Sequence, residues 1–277
     1  MSAVTLPDGE QVPALGMGSW RMGEDPALRR EEIATVRLGI ELGMSLIDTA
    51  EMYGDGLTER FLGEALAGLR DRVFLVSKVY PHHGSRKGVI QACEQSLRRL
   101  GTDRLDLYLL HWRGRVPLAE TVEGFEALRA AGKIRHWGVS NFDTSDMAEL
   151  FAVPDGKRCA VNQVLYNLAR RGPEFDLLPW MEGHGVPLMA YSPIEQGRID
   201  KGGAVAEIAA QRGVTRWQVA LAWVLRRPGT IAIPKASSQE HLRANHAAQA
   251  LALSEAELAR LDAQFAPPRR QQPLEML

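Results

Sequence analysis

Eight short apolar runs alternate along this chain with longer stretches of helical periodicity, and no other feature limits the fold as strongly. The runs are rich in β-branched and aromatic residues, as buried strands are, and helical stretches separate them. We predict eight strands, at residues 15–20, 46–48, 73–78, 105–111, 134–140, 160–163, 187–191 and 231–234. Repeated βα units of this kind build a parallel sheet that is covered by helices.

Helices are predicted where apolar residues return every three or four positions. Residues 58–69 and 86–100 show this spacing clearly, and each has one apolar stripe that could pack on a sheet. Ser254 and Glu257 fit the S-x-x-E pattern of a capping box, which predicts a further helix after the eighth unit. Residues 267–277 are expected to form a loop.

The eight units are not divided by a Pro/Gly/Ser-rich linker or by a run of charge, so we predict one α/β domain over residues 1–277. A (β/α)8 TIM barrel closed on itself is favoured, and an open doubly wound sheet is the alternative. Pro7-Asp8-Gly9 is a turn signal within residues 4–13, which predicts a hairpin that could plug the bottom of the barrel. The predicted fold is therefore a barrel with an N-terminal hairpin and an extra C-terminal helix.

The composition favours a soluble protein whose partner is a small molecule. Hydrophobic residues make up 45% of the chain and charged residues 24%, which suits a large core under a surface of mixed charge. The formal net charge is -1 without a block of Lys and Arg, so we expect neither nucleic acid nor a membrane as partner. Because the N-terminus lacks a basic segment followed by a long apolar stretch, we expect a cytoplasmic protein.

Several common site motifs are missing from the sequence. It contains no HExxH, GxSxG or GxxxxGK[ST], and Gly16-Met17-Gly18 lacks the third glycine of GxGxxG, which argues against zincin, hydrolase, P-loop and Rossmann proteins. Cys93 and Cys159 belong to no CxxC pair and are expected to be buried thiols. Only His111 of the seven histidines ends a predicted strand, so no metal site is expected.

Polar residues gather at the carboxyl ends of the predicted strands. These residues are Asp48, Lys78, His111, Ser140, Asn141, Gln163, Tyr191 and Ser192. In a closed barrel all of these strand ends face one mouth, so side chains that are far apart in sequence would converge there. Solvent contact alone explains one or two polar strand ends, but it explains a lysine after the apolar run FLVS poorly. We therefore predict a binding or catalytic site at the mouth.

The chain resembles the aldo-keto reductases in the segments GMGSW, LIDTAEMYGDG, FLVSKV, SLRRLGTDRLDLYLLHW, GKIRHWGVSNF, VNQVLYN, LMAYSP and IAIPKAS. These segments follow the order of the family and cover nearly the whole chain. The compact loops and the end PPRRQQPLEML resemble the short bacterial members, among them methylglyoxal and diketogluconic acid reductases. The resemblance implies reduction of a small aldehyde, ketone or dicarbonyl compound with NADPH, and we expect the protein to be a monomer.

The resemblance implies a catalytic tetrad of Asp48, Tyr53, Lys78 and His111, with Tyr53 as the general acid. The ordinary pKa of a tyrosine is about 10, so a lysine ammonium is needed to stabilise the tyrosinate left after proton transfer. Asp48 would pair with Lys78 so that its charge is not buried alone. A neutral His111 would donate a hydrogen bond to the substrate oxygen. The alternative interpretation of Tyr53 is an ordinary loop tyrosine.

The cofactor contacts are also implied by the resemblance. The residues expected to bind the cofactor are Trp20, Ser140, Asn141, Gln163 and Tyr191, then Ser192 and Pro193, and finally Lys235, Ala236, Ser237, Ser238, His241 and Asn245. Lys235 before a helix N-terminus is an anion site that fits the ribose phosphate of NADPH. Ser237 and Glu240 also form a plain capping box, which needs no ligand. At the positions where many NADPH-dependent members carry Arg and Glu, this chain has His241 and Ala244, so use of NADH is also expected.

Substrate specificity is expected from side chains that follow strand ends. We expect Trp20, Tyr80, Trp112 and Arg113 to wall the substrate pocket. Arg113 and Arg115 point to an acidic or dicarbonyl substrate, unless they are simply solvated. A second hypothesis from another class is a cofactor-binding regulatory or redox-sensor subunit on the same barrel, which the potassium-channel β subunits resemble. The intact tetrad favours an enzyme.

Overall fold

The structure, a computed structural model, describes residues 2–199 and 202–277, and parallel strands form its centre. Its strands are β1 (Ala3–Thr5), β2 (Gln11–Pro13), β3 (Met17–Gly18), β4 (Leu46–Asp48), β5 (Phe74–Val79), β6 (Leu105–Leu110), β7 (Ile134–Ser140), β8 (Asn162–Leu165), β9 (Leu188–Tyr191) and β10 (Thr230–Ala232). The strands β3 to β10 form one sheet in sequence order, and each is parallel to its neighbours.

The first and last strands of this sheet meet, so the sheet is a closed barrel. The Gly16 amide donates to the carbonyl of Ala232 at 2.9 Å, and the Gly18 amide donates to that of Pro234 at 3.1 Å. In return the Ala232 amide donates to the carbonyl of Ala14 at 2.8 Å. The predicted (β/α)8 barrel is thereby confirmed, and the open doubly wound sheet is wrong.

Helices follow every barrel strand and cover the outside of the sheet. They are α1 (Arg29–Glu41), α2 (Leu57–Ala65), α3 (Arg86–Leu100), α4 (Leu118–Ala130), α5 (Thr144–Ala152), α6 (Leu177–Gly183), α7 (Gly203–Arg212), α8 (Arg216–Leu225), α9 (Gln239–Ala247) and α10 (Glu255–Gln264). Within the described part of the chain, these helices are too short or too polar to span a lipid bilayer. The additional helix α10 begins with the predicted capping box of Ser254 and Glu257.

Two helices, α7 and α8, connect β9 to β10, a division that was not predicted from the sequence. Gly213 ends α7 in the left-handed conformation with a φ of 64°, and Thr215 then caps α8. The capping box predicted for Ser237 and Glu240 is also wrong by one residue. Ser238 is the N-cap of α9, and its hydroxyl accepts the amide of His241 at 3.3 Å.

The predicted and observed boundaries of an element agree best where nearby residues determine them. The predicted ranges of β4, β7 and α3 match the structure, whereas β8 lies two residues later than predicted. Its range is set by pairing with β9, where Leu165 faces Tyr191, and the sequence of the run does not contain that partner. Helix α2 stops at Ala65, before a turn in which Gly68 has a φ of 77°.

The N-terminal hairpin closes one end of the barrel, as expected. Strands β1 and β2 pair antiparallel, with Gly9 in the turn at a φ of 95°. Its inward side chains join the core inside the barrel, which comprises Val4, Leu6, Val12, Ala14, Leu46, Phe74, Val76, Leu107, Leu109, Ala160, Val161, Met189, Ile231 and Ile233. The hairpin therefore excludes water from the end where the strands begin.

Both cysteines are buried and free, which confirms the expectation of buried thiols. Burial raises the pKa of Cys93 to about 12 and that of Cys159 to about 12. A thiol with so high a pKa is almost wholly protonated at neutral pH, and the thiolate is the reactive form. These side chains therefore act as small core residues.

Alternation of side chains within the barrel strands places polar groups above this interior core. Successive residues of a strand point to opposite faces, so residues two apart share a face. Asp48 follows inward-facing Leu46 in this way, and Lys78 follows Val76. The same spacing relates His111 to Leu109, Gln163 to Val161, Tyr191 to Met189 and Lys235 to Ile233. The core thus ends in a polar layer at the carboxyl ends of the strands.

The substitution Gly138→Ala in β7 tests the close packing of the barrel strands. A Cβ atom at this position would lie 2.6 Å from the backbone oxygen of Val161, so the backbone would have to move. We expect the free energy of unfolding to fall by about 1–3 kcal/mol, as measured by urea denaturation. The control is Gly183→Ala in α6, where nothing lies within 4 Å, and it should cause no loss. Equal stability of both variants would contradict the close approach.

Candidate active site

A cavity of about 770 Å³ opens at the carboxyl ends of the strands. Most of the residues predicted for the site line it, namely Trp20, Asp48, Tyr53, His111, Trp112, Ser140, Asn141, Gln163, Tyr191, Ser192, Pro193, Lys235, His241 and Asn245. Lys78 lies beneath its floor and is fully buried. The side chains predicted from strand ends therefore do converge at one mouth.

Lys78 lies directly beneath the floor, and its ammonium contacts three oxygen atoms. Nζ donates to Asp48 Oδ2 at 2.8 Å, to the Thr49 carbonyl at 2.9 Å and to the Tyr53 hydroxyl at 3.1 Å. An ammonium has three protons, so all its donors are used. The opposite charge of Asp48 and the two neutral oxygens together compensate the loss of water around a fully buried cation.

Asp48 is held from both sides, which fixes the direction of its carboxylate. One oxygen faces Lys78, and Oδ1 accepts the amide of Gln163 Nε2 at 2.8 Å. Gln163 comes from β8, on the other side of the barrel interior. The bond between them therefore ties opposite walls of the barrel together at the level of the site.

The electrostatics of the floor keep Tyr53 protonated and Lys78 charged. Burial raises the pKa of Tyr53, and the Asp48 carboxylate acts in the same direction, whereas the Lys78 ammonium opposes them. Burial disfavours the charge on Lys78, but Asp48 and Tyr53 outweigh that effect and raise its pKa. A phenol that holds its proton, beside a cation that would stabilise the phenolate, is suited to donate that proton to a bound molecule.

His111 is neutral in this environment. Burial and the nearby Lys78 charge lower its pKa to about 2. Its Nδ1 atom is enclosed and has no hydrogen-bond partner among the described residues. Because a buried N–H without an acceptor is rarer than a buried bare acceptor, the proton is assigned to Nε2. The imidazole then offers one N–H donor. The centroids of the His111 and Tyr53 rings lie 6.1 Å apart.

A second polar group adjoins the floor and consists of residues from three neighbouring strands. Asn141 has a φ of 56°, and its amide donates to the carbonyl of His111 at 3.1 Å. Its Oδ1 accepts the hydroxyl of Tyr191 at 3.0 Å, and Ser140 Oγ donates to the carbonyl of Gln163 at 2.8 Å. The residues expected to hold a carboxamide are thus already connected and directed towards one part of the cavity.

Lys235 lines the far end of the cavity, and a buried carboxylate that was not predicted from the sequence lies next to it. Lys235 Nζ is hydrogen bonded to Ser237 Oγ and lies 3.8 Å from Glu32 Oε1. Glu32 belongs to α1 and is buried, and its other oxygen accepts the Gly23 amide at 2.8 Å. In the sequence it stands in the charged run RREE, which is typical of a solvated helix face, so no local signal marks it. Glu240, unlike Glu32, lines this end of the cavity.

Only some of the residues predicted to wall the substrate pocket line the cavity, and other residues complete the wall. Trp20 and Trp112 line the cavity, and the ring of Tyr80 meets the ring of Trp112 edge-on from behind. The guanidinium of Arg113 lies outside the cavity lining, where it pairs with Glu149 at 2.9 Å. Met52 completes the wall, with Met276 and Leu277 from the C-terminal loop. Nothing local in the sequence indicates that this loop reaches the mouth.

The chain is similar to known reductases over nearly its whole length. Residues 14–265 match the family model of the aldo/keto reductase family. Over 271 residues the chain is 53% identical to methylglyoxal reductase YeaE of Escherichia coli, and the match covers 96% of this chain and 95% of that protein. The short bacterial reductases named in the sequence analysis are therefore confirmed as its relatives.

Two solved structures of an aldo-keto reductase from Klebsiella pneumoniae have the same architecture. One, in complex with NADP and acetate, is 54% identical with a TM-score of 0.96, and the match covers 99% of each chain. The other, in complex with NADPH, is 53% identical with a TM-score of 0.96, and the match covers 100% of each chain.

The neutral state of His111 can be measured directly. Since its pKa is lowered to about 2, we expect its Cε1–H resonance to keep one chemical shift from pH 5 to pH 8 in proton NMR spectra. The variant His111→Phe identifies the resonance by its disappearance. The unfolded chain binds this proton below about pH 6.5 while the folded chain does not, so the imidazole lowers stability as the pH falls. A titration midpoint between pH 5 and 8 would contradict the assignment.

Proposed function

The chain belongs to the aldo/keto reductase family of oxidoreductases, and from this premise we propose that it reduces the carbonyl group of a small aldehyde, ketone or dicarbonyl compound with NADPH. The observation that carries the proposal is the Lys78 ammonium, bonded to both Asp48 and the Tyr53 hydroxyl on the floor of the cavity. This arrangement serves proton donation to an oxygen atom. NADP and NADPH in the similar Klebsiella structures support the choice of cofactor.

The residues of the cavity fit a nicotinamide dinucleotide. Ser140, Asn141 and Gln163 would hold the carboxamide, and Tyr191 would lie beneath the ring. Ser192 and Pro193 would follow the pyrophosphate, and Lys235 would meet the ribose phosphate. The cavity volume of about 770 Å³ lies within the range of small-molecule and cofactor sites, about 300–1,000 Å³. Bound NADPH would supply the hydride for the carbonyl carbon.

In the proposed mechanism Tyr53 gives its proton to the carbonyl oxygen. The Lys78 ammonium, 3.1 Å from the hydroxyl, stabilises the phenolate that remains. Asp48 keeps Lys78 charged and in place, and Gln163 keeps Asp48 in place. His111 donates from Nε2 to the same oxygen and so orients the carbonyl group. Each of these residues has a role that depends on its neighbour.

The substrate proposed is small and uncharged. Trp20, Met52, Trp112 and Met276 give the mouth a largely apolar wall. Arg113, the residue expected to attract an acid, is already paired with Glu149. A 2-oxoaldehyde such as methylglyoxal, the compound in the name of the Escherichia coli relative, fits such a wall better than an anion does.

We propose that NADPH is preferred over NADH by a modest factor. Lys235 supplies a positive charge for the 2′-phosphate, but Glu32 offsets part of it and Glu240 lines the same end. His241 cannot make the planar two-point contact of an arginine. The balance of these charges leaves a net attraction smaller than that of a site with lysine and arginine together.

The substitution Tyr53→Phe tests the proposed proton donor. We expect kcat for methylglyoxal with NADPH to fall by about 10²–10⁴-fold, because general acid catalysis is worth that much. The dissociation constant of NADPH, measured by fluorescence titration, should stay within about twofold of the wild-type value, because the Tyr53 hydroxyl makes no proposed contact with the cofactor. A variant with more than about a tenth of the wild-type kcat, when product release does not limit turnover, would exclude Tyr53 as the general acid.

Cofactor preference tests the proposed phosphate site. The ratio of the dissociation constants of NADH and NADPH is measured by quenching of tryptophan fluorescence. Lys235→Met should reduce this ratio by about fivefold, which corresponds to about 1 kcal/mol for a partly exposed charge. His241→Arg should increase the ratio, because a guanidinium can contact two phosphate oxygens at once. Glu32→Gln should also increase it, because it removes a negative charge that competes for Lys235. If Lys235→Met leaves the ratio unchanged, the phosphate lies elsewhere.

A further inference from the structure

Glu51 is a buried carboxylate beside the site that the mechanism above does not use. It is 8% exposed and lies two residues before Tyr53 in sequence. Its Oε1 accepts the backbone amide of Tyr80 at 2.7 Å and lies 3.0 Å from His83 Nδ1. Its Oε2 lies 4.0 Å from the guanidinium of Arg99. Three groups from two other parts of the chain therefore surround one carboxylate.

The segment that presents Tyr53 has little regular structure of its own. The amide of Thr49 donates to the carbonyl of Val76 at 2.9 Å, and that of Glu51 donates to the carbonyl of Lys78 at 3.3 Å, so pairing with β5 extends to Glu51. Beyond this point the chain turns, and residues 54–56 all have positive φ values, of 54°, 50° and 84°. Tyr53 therefore lies between the last bond to β5 and a left-handed turn.

Arg99 of α3 supports the same segment from below at two points. Its guanidinium faces Glu51 near the start of the segment, and its side chain packs against Gly56 at the end, where a Cβ atom would lie 2.5 Å from Arg99 Cδ. Arg99 itself is fixed, because its Nε bonds to fully buried Glu59 at 2.5 Å. Glu59 in turn accepts the hydroxyl of Ser77 at 2.6 Å, next to Lys78 in β5.

We propose that Glu51 is a positioning residue for Tyr53. Its carboxylate ties the Tyr53 segment to the segment after β5, through Tyr80 and His83, and to α3, through Arg99. Lys78 lies on β5, which ends at Val79, directly before Tyr80, so this link sets the distance between the Tyr53 hydroxyl and the Lys78 ammonium. Glu51 lines no part of the cavity and acts only through Tyr53. The inference rests on the proposed role of Tyr53 in carbonyl reduction.

The geometry favours positioning over a general contribution to stability. A buried carboxylate that faces one backbone amide, one imidazole and one guanidinium is fixed in direction as well as in place, because these groups approach from two different segments, the one after β5 and α3. A misplacement of about 1 Å of a reacting group can slow a reaction by about 10²-fold. Removal of Glu51 should therefore slow the chemical step far more than it weakens cofactor binding.

The test compares Glu51→Ala and Glu51→Gln with the wild type in single turnovers of NADPH with excess methylglyoxal. Glu51→Ala should slow NADPH oxidation by about 10–100-fold, with an unchanged dissociation constant for NADPH. Glu51→Gln keeps an acceptor for the Tyr80 amide and should stay within about threefold of the wild type. With NADPH deuterated at the transferred position, the isotope effect on turnover should increase in Glu51→Ala.

The matched control is Glu257→Ala in α10. Like Glu51, Glu257 is 8% exposed and lies outside the cavity lining, and it bonds to Arg212 at 2.7 Å. Unlike Glu51, it shares no partner with the Tyr53 segment, because Arg212 lies in α7. The Glu257→Ala variant should have a lower free energy of unfolding in urea denaturation, but its chemical step should be as fast as that of the wild type. Equal slowing in both variants, or a wild-type rate in Glu51→Ala, would overturn the proposal.

Two further measurements cover the remaining outcomes. If Glu51→Ala does not fold, His83→Ala removes a partner of Glu51 that is partly exposed to solvent. This variant should slow the chemical step by about two- to fivefold and leave the free energy of unfolding nearly unchanged. An unchanged rate would overturn the proposal. If the wild type reduces no carbonyl compound, the proposed function fails, but the link remains measurable. The ¹³Cζ resonance of Tyr53, identified with Tyr53→Phe, should shift in Glu51→Ala and His83→Ala but not in Glu257→Ala, and no shift would overturn the link.

Discussion

The pairing of the Lys78 ammonium with Asp48 is the interaction on which the rest of the site depends. A fully buried cation is strongly unfavourable unless an opposite charge and further hydrogen bonds replace its water, and loss of one partner of such a pair typically costs about 3–5 kcal/mol. Here Asp48, the Thr49 carbonyl and the Tyr53 hydroxyl all point at Nζ. The same contacts that make the charge tolerable also place a tyrosine hydroxyl against a cation. Stability and the proposed chemistry thus have one geometric origin.

The closed barrel is what makes this pairing rigid. Asp48 and Lys78 extend from neighbouring strands, while Gln163 reaches Asp48 from the other side of the barrel interior. Below them the apolar layers and the hairpin exclude water, which lowers the local dielectric and strengthens each polar contact. Above them the cavity is open. The polar layer therefore stands at the boundary between a dry core and a site that a ligand can enter.

The elements predicted well are those whose signals are local. The α3 helix has an apolar stripe, a serine N-cap and Gly101 at its C-cap, so its range follows from its own residues. The polar strand ends also follow from sequence, because strand alternation and parallel direction place them together. By contrast, Glu32, Met276 and the second helix between β9 and β10 were missed. The positions of Glu32 and Met276 depend on contacts with distant segments, and their local patterns are typical of solvated helix faces and loops. The second helix has local signals, Gly213 before it and the capping box of Thr215 and Gln218, which went unrecognised.

The sequence by itself determined the class of fold, the family and the residues that meet at the mouth, because periodicity and family motifs are written in the order of residues. Only the tertiary structure decided which partner each polar group has. In the folded chain Arg113 forms an ion pair with Glu149, and Glu32 lies beside Lys235. Folding also enclosed Glu51 between two other segments of the chain. The physical reason is that a charge takes its partner from whatever folding brings within a few ångströms, and the spacing of residues along a chain does not contain that distance.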